Sequence, residues 1–269
     1  MLSFAIASTD STNLKRCIEQ IIASVKGEYE IIVNNVTKSN VTSSLIEKYG
    51  CVEINKSTNI LESRYITTMA TSGDHIFLLD DTRLLSVIPK NEGTEEMVEI
   101  GVVPEYQEVG GFLDRILSGH NNAVISSGMK NLDPLKVRFI LPRYFESGLL
   151  KKALNTIKER IPFELFSRLN ALDLELIYYE TFHLKPLVSI VKNFHLKHIA
   201  SGTMRTEMKK FYKYGYNTGL LRNSPYKEFS NLGGRVRIPK KVSHAYYFGL
   251  LMAIRSVPFT MGYCKSFLK

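Results

Sequence analysis

The chain has 269 residues, 44% of them apolar and 23% charged, a balance that supports one sizeable domain or two small ones and excludes disordered, collagen-like and coiled-coil chains. Lys and Arg number 35 against 26 Asp and Glu, giving a net charge of +9 that favours anionic partners such as nucleotides, phospholipids or nucleic acid. The cysteines Cys17, Cys51 and Cys264 are scattered without CxxC spacing, which argues against a disulfide framework or a zinc site and for a reducing compartment.

The opening stretch MLSFAIASTDSTNLKR has a short apolar run broken by polar residues and no positive run before it, so no signal peptide is expected. Short β-rich apolar runs follow at Leu2 to Ala7, Tyr29 to Val33, Cys51 to Ile54 and His75 to Leu79. Helical patterns separate them. Asn13 to Val25 sets Leu14, Cys17, Ile18, Ile21 and Ile22 on one face, and Val41 to Tyr49 and Ile60 to Thr71 supply two further crossovers. This βαβαβαβ rhythm predicts an α/β fold with a parallel sheet and helices on both faces. After Asp81 the rhythm stops, and the polar, acidic Lys90 to Glu99 reads as a loop or hairpin on a sheet edge. Asp133 to Tyr144 suggests an edge strand before a helix from Gly148 to Arg160. A helix over Leu172 to Phe182 and a strand over Leu187 to Val191 come next. Thr203 to Leu221 is basic and aromatic, and the last thirty residues are apolar with interspersed cations. Ala245 to Ile254 is cut short by Arg255 and Pro258, well below the ~18 uninterrupted apolar residues of a spanning helix.

Ligands of an open parallel sheet sit beyond the carboxyl ends of its strands. The residues there are polar: Ser8, Thr9 and Asp10 after the first strand, Asn34 and Asn35 at the second, Asp80 and Asp81 at the fourth. Two adjacent carboxylates would suit an oxygen-ligated divalent cation bridging two phosphates, but taken by themselves they read more readily as a solvated turn or helix cap.

The blocks SFAIASTDSTNLKRCIEQI, YEIIVNN, IEKYG and ILESRYITTMATSGDHIFLLDD, taken in order, resemble family 2 glycosyltransferases of the GT-A fold. Ser63-Arg64, then Gly73-Asp74, a hydrophobic strand and paired aspartates, look like that family's arginine helix and DxD segment. LPRYFESGLLKKAL, LDLELIYYETF and KKFYKYGYNTG resemble acceptor-side blocks of its archaeal and bacterial members. The resemblance implies a Rossmann-like, mostly parallel central sheet flanked by helices, with a helical C-terminal extension. Residues 1–82 would form the nucleotide-sugar half, 83–200 the acceptor half, and 201–269 a basic, apolar tail at the membrane surface.

The same resemblance assigns Ser8, Asp10, Asn35, Arg64 and Asp80 to the nucleotide sugar, the arginine to base or diphosphate and Asp80 to ribose or metal. It assigns a Mg or Mn ion to Asp80, Asp81 and His198, with His195 the rival histidine. Asp173 or Glu175 would be the carboxylate that deprotonates the acceptor hydroxyl in inverting transfer. Helical spacing does not choose between them, and Asp173 is preferred because it occupies the acidic position before LIYYE. The implied activity is transfer of a sugar from a UDP- or GDP-linked donor to a lipid-linked or polysaccharide acceptor at the cytoplasmic membrane surface. Side chains that select the sugar are expected within residues 84 to 137.

Three positions depart from the family pattern. The DxD reads Asp80-Asp81-Thr82, an amide at Asn34 or Asn35 replaces an acid, and the acceptor-side acidic pair becomes Asp173-Leu174. They leave metal dependence open, and with it a non-catalytic nucleotide-binding or membrane scaffold on the same fold. The basic C-terminal region, with interleaved tyrosines before an apolar segment, suits anionic headgroups more than a nucleic-acid groove. No RNP, KH or helix-turn-helix signature accompanies it, and no nucleic-acid partner is expected.

Overall fold

In the computed structural model, residues 1–87, 98–107, 141–199, 203–230 and 242–268 are described, together with 111, 116 and 134. The first four strands and three helices alternate as expected: β1 (Leu2–Ser8), α1 (Ser11–Ser24), β2 (Tyr29–Asn35), α2 (Asn40–Lys48), β3 (Val52–Ile54), α3 (Ile60–Met69) and β4 (His75–Asp80). Each early helix starts on a side-chain cap: Asp10 for α1, Ser39 for α2 and Asn59 for α3. Such caps satisfy amide groups that the first helical turn leaves without partners.

After Asp81 the regular alternation stops, and short strands continue the chain. Strands β5 (Arg83–Val87), β6 (Ile100–Val102), β7 (Glu105–Gln107) and β8 (Tyr144–Glu146) follow, then α4 (Ser147–Arg160), α5 (Phe163–Phe166) and α6 (Asp173–Leu184). Strands β9 (Val188–Ile190) and β10 (Phe194–His198) precede the long helices α7 (Met204–Leu220) and α8 (Val242–Lys265). Only Tyr144 of the expected Asp133 to Tyr144 edge strand lies in β8, while 133 and 135–140 fall outside the described residues, as does most of Lys90 to Glu99.

Seven strands form one sheet in the order β3-β2-β1-β4-β8-β6-β9. Pairs among β1 to β4 and between β6 and β9 are parallel, whereas β8 runs antiparallel to both neighbours. Alternation along the central strands divides the core in two. Phe4, Ile6, Phe77 and Leu79 face α1 and α2, and Ala5, Ile76 and Leu78 face α3, α4 and α6. A second sheet, β5-β10-β7, stands beside the carboxyl end of β4.

The segment after α7 folds back, burying Tyr226 and Phe229 in the second of those clusters, where Tyr226 Oη donates to Glu180 at 2.7 Å. Helices α7 and α8 then meet almost backbone to backbone. A Cβ on Gly215 would fall 1.9 Å from the Phe259 carbonyl oxygen, and one on Gly262 would fall 2.0 Å from that of Tyr212. Arg255 of α8 donates through Nε to Glu207 of α7 at 2.7 Å and closes the far end of the pair.

The contact makes a local prediction. Gly262→Val should force the helices apart and cost about 1–3 kcal/mol, read as a lowered unfolding temperature. Gly249→Ala, where an added Cβ meets nothing within 4 Å, should leave stability unchanged or raise it by up to ~1 kcal/mol. Equal melting of both variants would show that the glycine contact does not hold the pair.

Candidate active site

Strand order reverses direction between β2-β1 and β4, which places the carboxyl ends of β1 and β4 at the switch point where open α/β sheets bind ligands. Ala7 and Asp80 are register partners there. Asp81, just past β4, turns back toward β1: its Oδ2 accepts from the Thr9 amide at 2.6 Å, the Asp10 amide at 2.8 Å and Ser8 Oγ at 3.2 Å. Burial pushes its carboxyl pKa up, partly offset by those donors. Asp81 thus straps the β1 turn, and Ser8, fully buried, is part of the strap.

Asp80 faces the other way. Its Oδ1 accepts from Thr82 Oγ1 at 2.6 Å, and its Oδ2 meets Arg83 Nη1, Arg64 Nη2 at 3.7 Å and Arg143 Nη1 at 3.9 Å. Burial would raise its pKa, but the three guanidiniums, Arg83 foremost, hold it well below the usual carboxylate range.

The small sheet delivers the remaining charges. Arg83 and His198 are register partners across β5 and β10, and β7 beside them carries Glu105. Glu105 Oε2 bridges Arg83 Nε at 3.2 Å and Arg143 Nε at 3.4 Å, while its Oε1 lies 3.9 Å from His198 Nδ1. Against its burial, Arg83 and Arg143 bring the Glu105 pKa down to about 2. Burial, then Arg83, push His198 down to about 4, so its ring is neutral near pH 7. His195 takes the opposite face of β10, its ring 5.8 Å from that of Tyr106.

Arg64 of α3 joins this cluster to the start of α6. It is 1% exposed, donates through Nη1 to the Leu79 carbonyl, meets Asp80 through Nη2, and donates through Nε to Asp173 Oδ2 at 3.3 Å. It is therefore an internal pin between two carboxylates, at the residue to which the resemblance assigned base or diphosphate. Asp173 opens α6 behind Leu172, whose φ of 69° lies in the left-handed region. Among the described residues its Oδ1 has no hydrogen-bond partner, and its side chain is 13% exposed. Glu175 is buried on the same helix, its charge the largest influence raising the Tyr214 pKa well above its ordinary value. The structure thus separates two residues that helical spacing left equivalent, putting Asp173 in the Asp80 cluster and Glu175 against α7.

Asn35 is fully buried, and its amide is spent locally. Nδ2 donates to the Ser39 carbonyl at 3.0 Å and to Glu53 Oε1 at 3.0 Å, and Oδ1 accepts from the Ser39 amide at 3.2 Å. That pins the β2–α2 turn and removes Asn35 from the open rim. Asn34 is likewise held by Thr58, Ser63 and the Lys56 amide. Asp10 stays exposed while its Oδ1 caps α1.

The expected metal ligands do not assemble. Asp81 is committed to β1, both Asp80 oxygens are engaged, His198 faces Glu105, and Thr82 has no carboxylate. Among the described residues no group of three or more His, Cys, Asp or Glu could hold a metal ion. A divalent cation at Asp80 would stand among three guanidiniums, so these residues do not fit one. Arg83, Arg143 and Glu105 were not marked in the sequence. Arg83 follows the DDT segment directly and Arg143 sits inside the LPRYFESG block, whereas Glu105 lies on a three-residue strand without local signal. Residues 84 to 137, expected to select the sugar, fall largely outside the described residues.

No protein-family model matches the chain, and no curated protein matches it in sequence. Solved structures do match. S. aureus TarS is 14% identical with a TM-score of 0.52, covering 94% of this chain and 49% of its own, so the chain spans about half of that protein. TarS residues 1–349 in complex with UDP gives 11% identity and a TM-score of 0.50, over 94% of this chain and 70% of that one. The mannosyltransferase PcManGT from Pyrobaculum calidifontis, in complex with GDP-Man and Mn2+, gives 10% identity and a TM-score of 0.57 over 98% and 73%. With a mixed, mostly parallel seven-stranded sheet flanked by helices, the chain has the fold of these GT-A glycosyltransferases.

Two expectations follow. Arg64→Met leaves Asp80 and Asp173 facing each other without their shared cation and should cost about 3 kcal/mol, measured by urea unfolding; an unchanged midpoint would remove Arg64 from its pinning role. Glu105 has a folded-state pKa of about 2 against an ordinary 4.5, so its contribution is complete above pH 4.5 and is lost as pH falls toward 2. The difference in melting temperature between the wild type and Glu105→Gln should therefore shrink across that window.

Proposed function

We propose that the chain is a glycosyltransferase that moves a sugar from a nucleotide-sugar donor to an acceptor hydroxyl with inversion at the anomeric carbon. The supporting observation is the buried guanidinium of Arg64, which holds Asp80, at the switch point where a nucleotide would lie, and Asp173, at the start of α6, in one cluster. The fold it shares with TarS and PcManGT supports a donor linked to UDP or GDP.

In this reading Asp173 is the catalytic base. Its Oδ1, without a hydrogen-bond partner among the described residues, accepts the proton of the acceptor hydroxyl as that oxygen forms a bond to the anomeric carbon. The bond from that carbon to the phosphate oxygen breaks on the opposite face, and the nucleoside diphosphate leaves with the electron pair. Asp80 and the exposed Thr9 and Asp10 border the donor side, while Tyr214 of α7, close to Glu175 and Asp173, borders the acceptor side.

The acceptor is lipid-linked or a glycan met at a membrane surface, a placement supported by the last two helices. On α7 the exposed Met204, Met208 and Tyr212 recur every fourth residue, and the exposed Arg205, Lys209 and Lys213 recur one position on. Val257 and Met261 are exposed on α8, and among its described exposed side chains Lys265 alone is charged. Among the described residues no helix is long and apolar enough to cross a membrane. A cationic stripe beside an apolar one suits an anionic lipid interface. The protein would then be peripheral to the cytoplasmic face.

A nucleotide-binding protein without turnover is the second reading, favoured by the saturated bonding around Asp80. Transfer assays with UDP- and GDP-sugars decide between the two. Asp173→Asn should abolish transfer and leave nucleotide affinity unchanged; loss of both together would remove the base assignment. At the membrane, phosphatidylglycerol vesicles should float the protein and phosphatidylcholine vesicles should not. At ~1 kcal/mol per cation, Lys209→Glu with Lys213→Glu should lower vesicle affinity at least about tenfold. Equal flotation with neutral lipid would discard the interfacial reading.

A further inference from the structure

We propose that this chain receives the diphosphate of its donor on the guanidinium pair Arg83 and Arg143, without a divalent cation. The inference rests on the glycosyltransferase reading and specifies how its donor site is charged.

Thr82 stands at the second acidic position of the DxD-like segment, and its hydroxyl is bonded to Asp80. The carboxylates that remain are occupied: Asp80 by Arg83 and Thr82, Asp81 by the β1 amides. What the cluster offers in place of open carboxylates is guanidinium N–H groups in fixed positions. Arg83 and Arg143 are 14% and 6% exposed, share Glu105 through their Nε atoms, and stand at the carboxyl end of β4. Arg143 is further held by its Nη1 bond to the Leu78 carbonyl at 3.2 Å.

Each guanidinium has spent only part of its donor set. Among the described residues, the Nη2 group of Arg83 and that of Arg143 have no hydrogen-bond partner. A planar guanidinium carries five N–H donors in a fork that matches a phosphate, so it can serve a carboxylate and a phosphate oxygen together. The two cations are also close enough to repel. Burial, then Arg83, bring the Arg143 pKa down to about 10, and an arriving dianion would relieve that repulsion. Positioned cations of this kind can neutralise charge on a departing diphosphate, the service a metal ion performs elsewhere.

The test is titration calorimetry of the full chain with UDP and GDP, each in EDTA and in Mn2+ or Mg2+. The nucleotide that binds should do so with the same affinity in EDTA as with metal. Arg83→Gln should weaken it about tenfold or more while leaving uridine or guanosine binding unchanged, since the nucleoside lacks the diphosphate, and Arg83→Lys should recover part of the loss. Binding that requires metal, measured on the unaltered chain, overturns the inference and leaves the functional reading standing. So does an Arg83→Gln variant with wild-type melting behaviour and undiminished UDP or GDP affinity. No nucleotide binding under any condition overturns the functional reading and this inference with it.

Discussion

A buried guanidinium must find anionic or carbonyl partners within the fold, because removing it from water costs several kcal/mol unless its donors are satisfied. Arg64 finds them on β4 and on α6: the Leu79 carbonyl, Asp80 and Asp173. Its own helix is fixed in turn, since Ser63 beside it accepts from Asn34 at the end of β2. One side chain therefore couples the end of the parallel sheet to a helix whose first residue is 109 positions further along the chain. The position of Asp173 relative to the switch point follows from that coupling.

The same demand for charge balance explains the small second sheet. Its strands are three to five residues long, too short to contribute much core, yet they bring Arg83, His198 and Glu105 together. Arg64, Arg83 and Arg143 face Asp80, Glu105 and Asp173, so opposite charges match within the cluster. A preorganised set of this kind resists reorganisation when a charged ligand arrives, which is the physical basis of electrostatic stabilisation in active sites. Asp81 lies outside the exchange because its carboxylate is spent on the amides of Thr9 and Asp10.

The parallel half of the fold was legible in the sequence because buried strands read as unbroken apolar runs and their crossover helices keep a 3.6-residue period. Leu2–Ser8, Tyr29–Asn35 and His75–Asp80 carry that signal strongly. The second sheet carried none: β7 is Glu-Tyr-Gln, and β10 reads Phe-His-Leu-Lys-His, so its histidines stood out as chemistry and its strand did not. At the site, the resemblance marked Asp80 and Asp173 for separate roles, and the structure brings both to Arg64. The resemblance could not show that Asn35 and Ser8 spend their hydrogen bonds inside turns, or that Arg64 points inward. Those facts depend on which partner a side chain reaches, and such partners lie tens of residues away.

The close packing of α7 on α8 bears on how donor and acceptor would meet. Gly215 and Gly262 allow the backbones to touch, so the two helices pack as one body. That body carries Tyr214 toward Asp173 and Glu175 on its inner side and the methionine and lysine stripes on its outer side. In the proposed function a lipid-linked acceptor would thus arrive from the face that contacts the interface, while the donor sits at the carboxyl ends of β1 and β4. Asp173 stands between the two routes, held by an arginine that belongs to neither. In that reading the arrangement would tie the orientation of the protein on a surface to the geometry of Asp173, through packing alone and without a helix long and apolar enough to cross a membrane among the described residues.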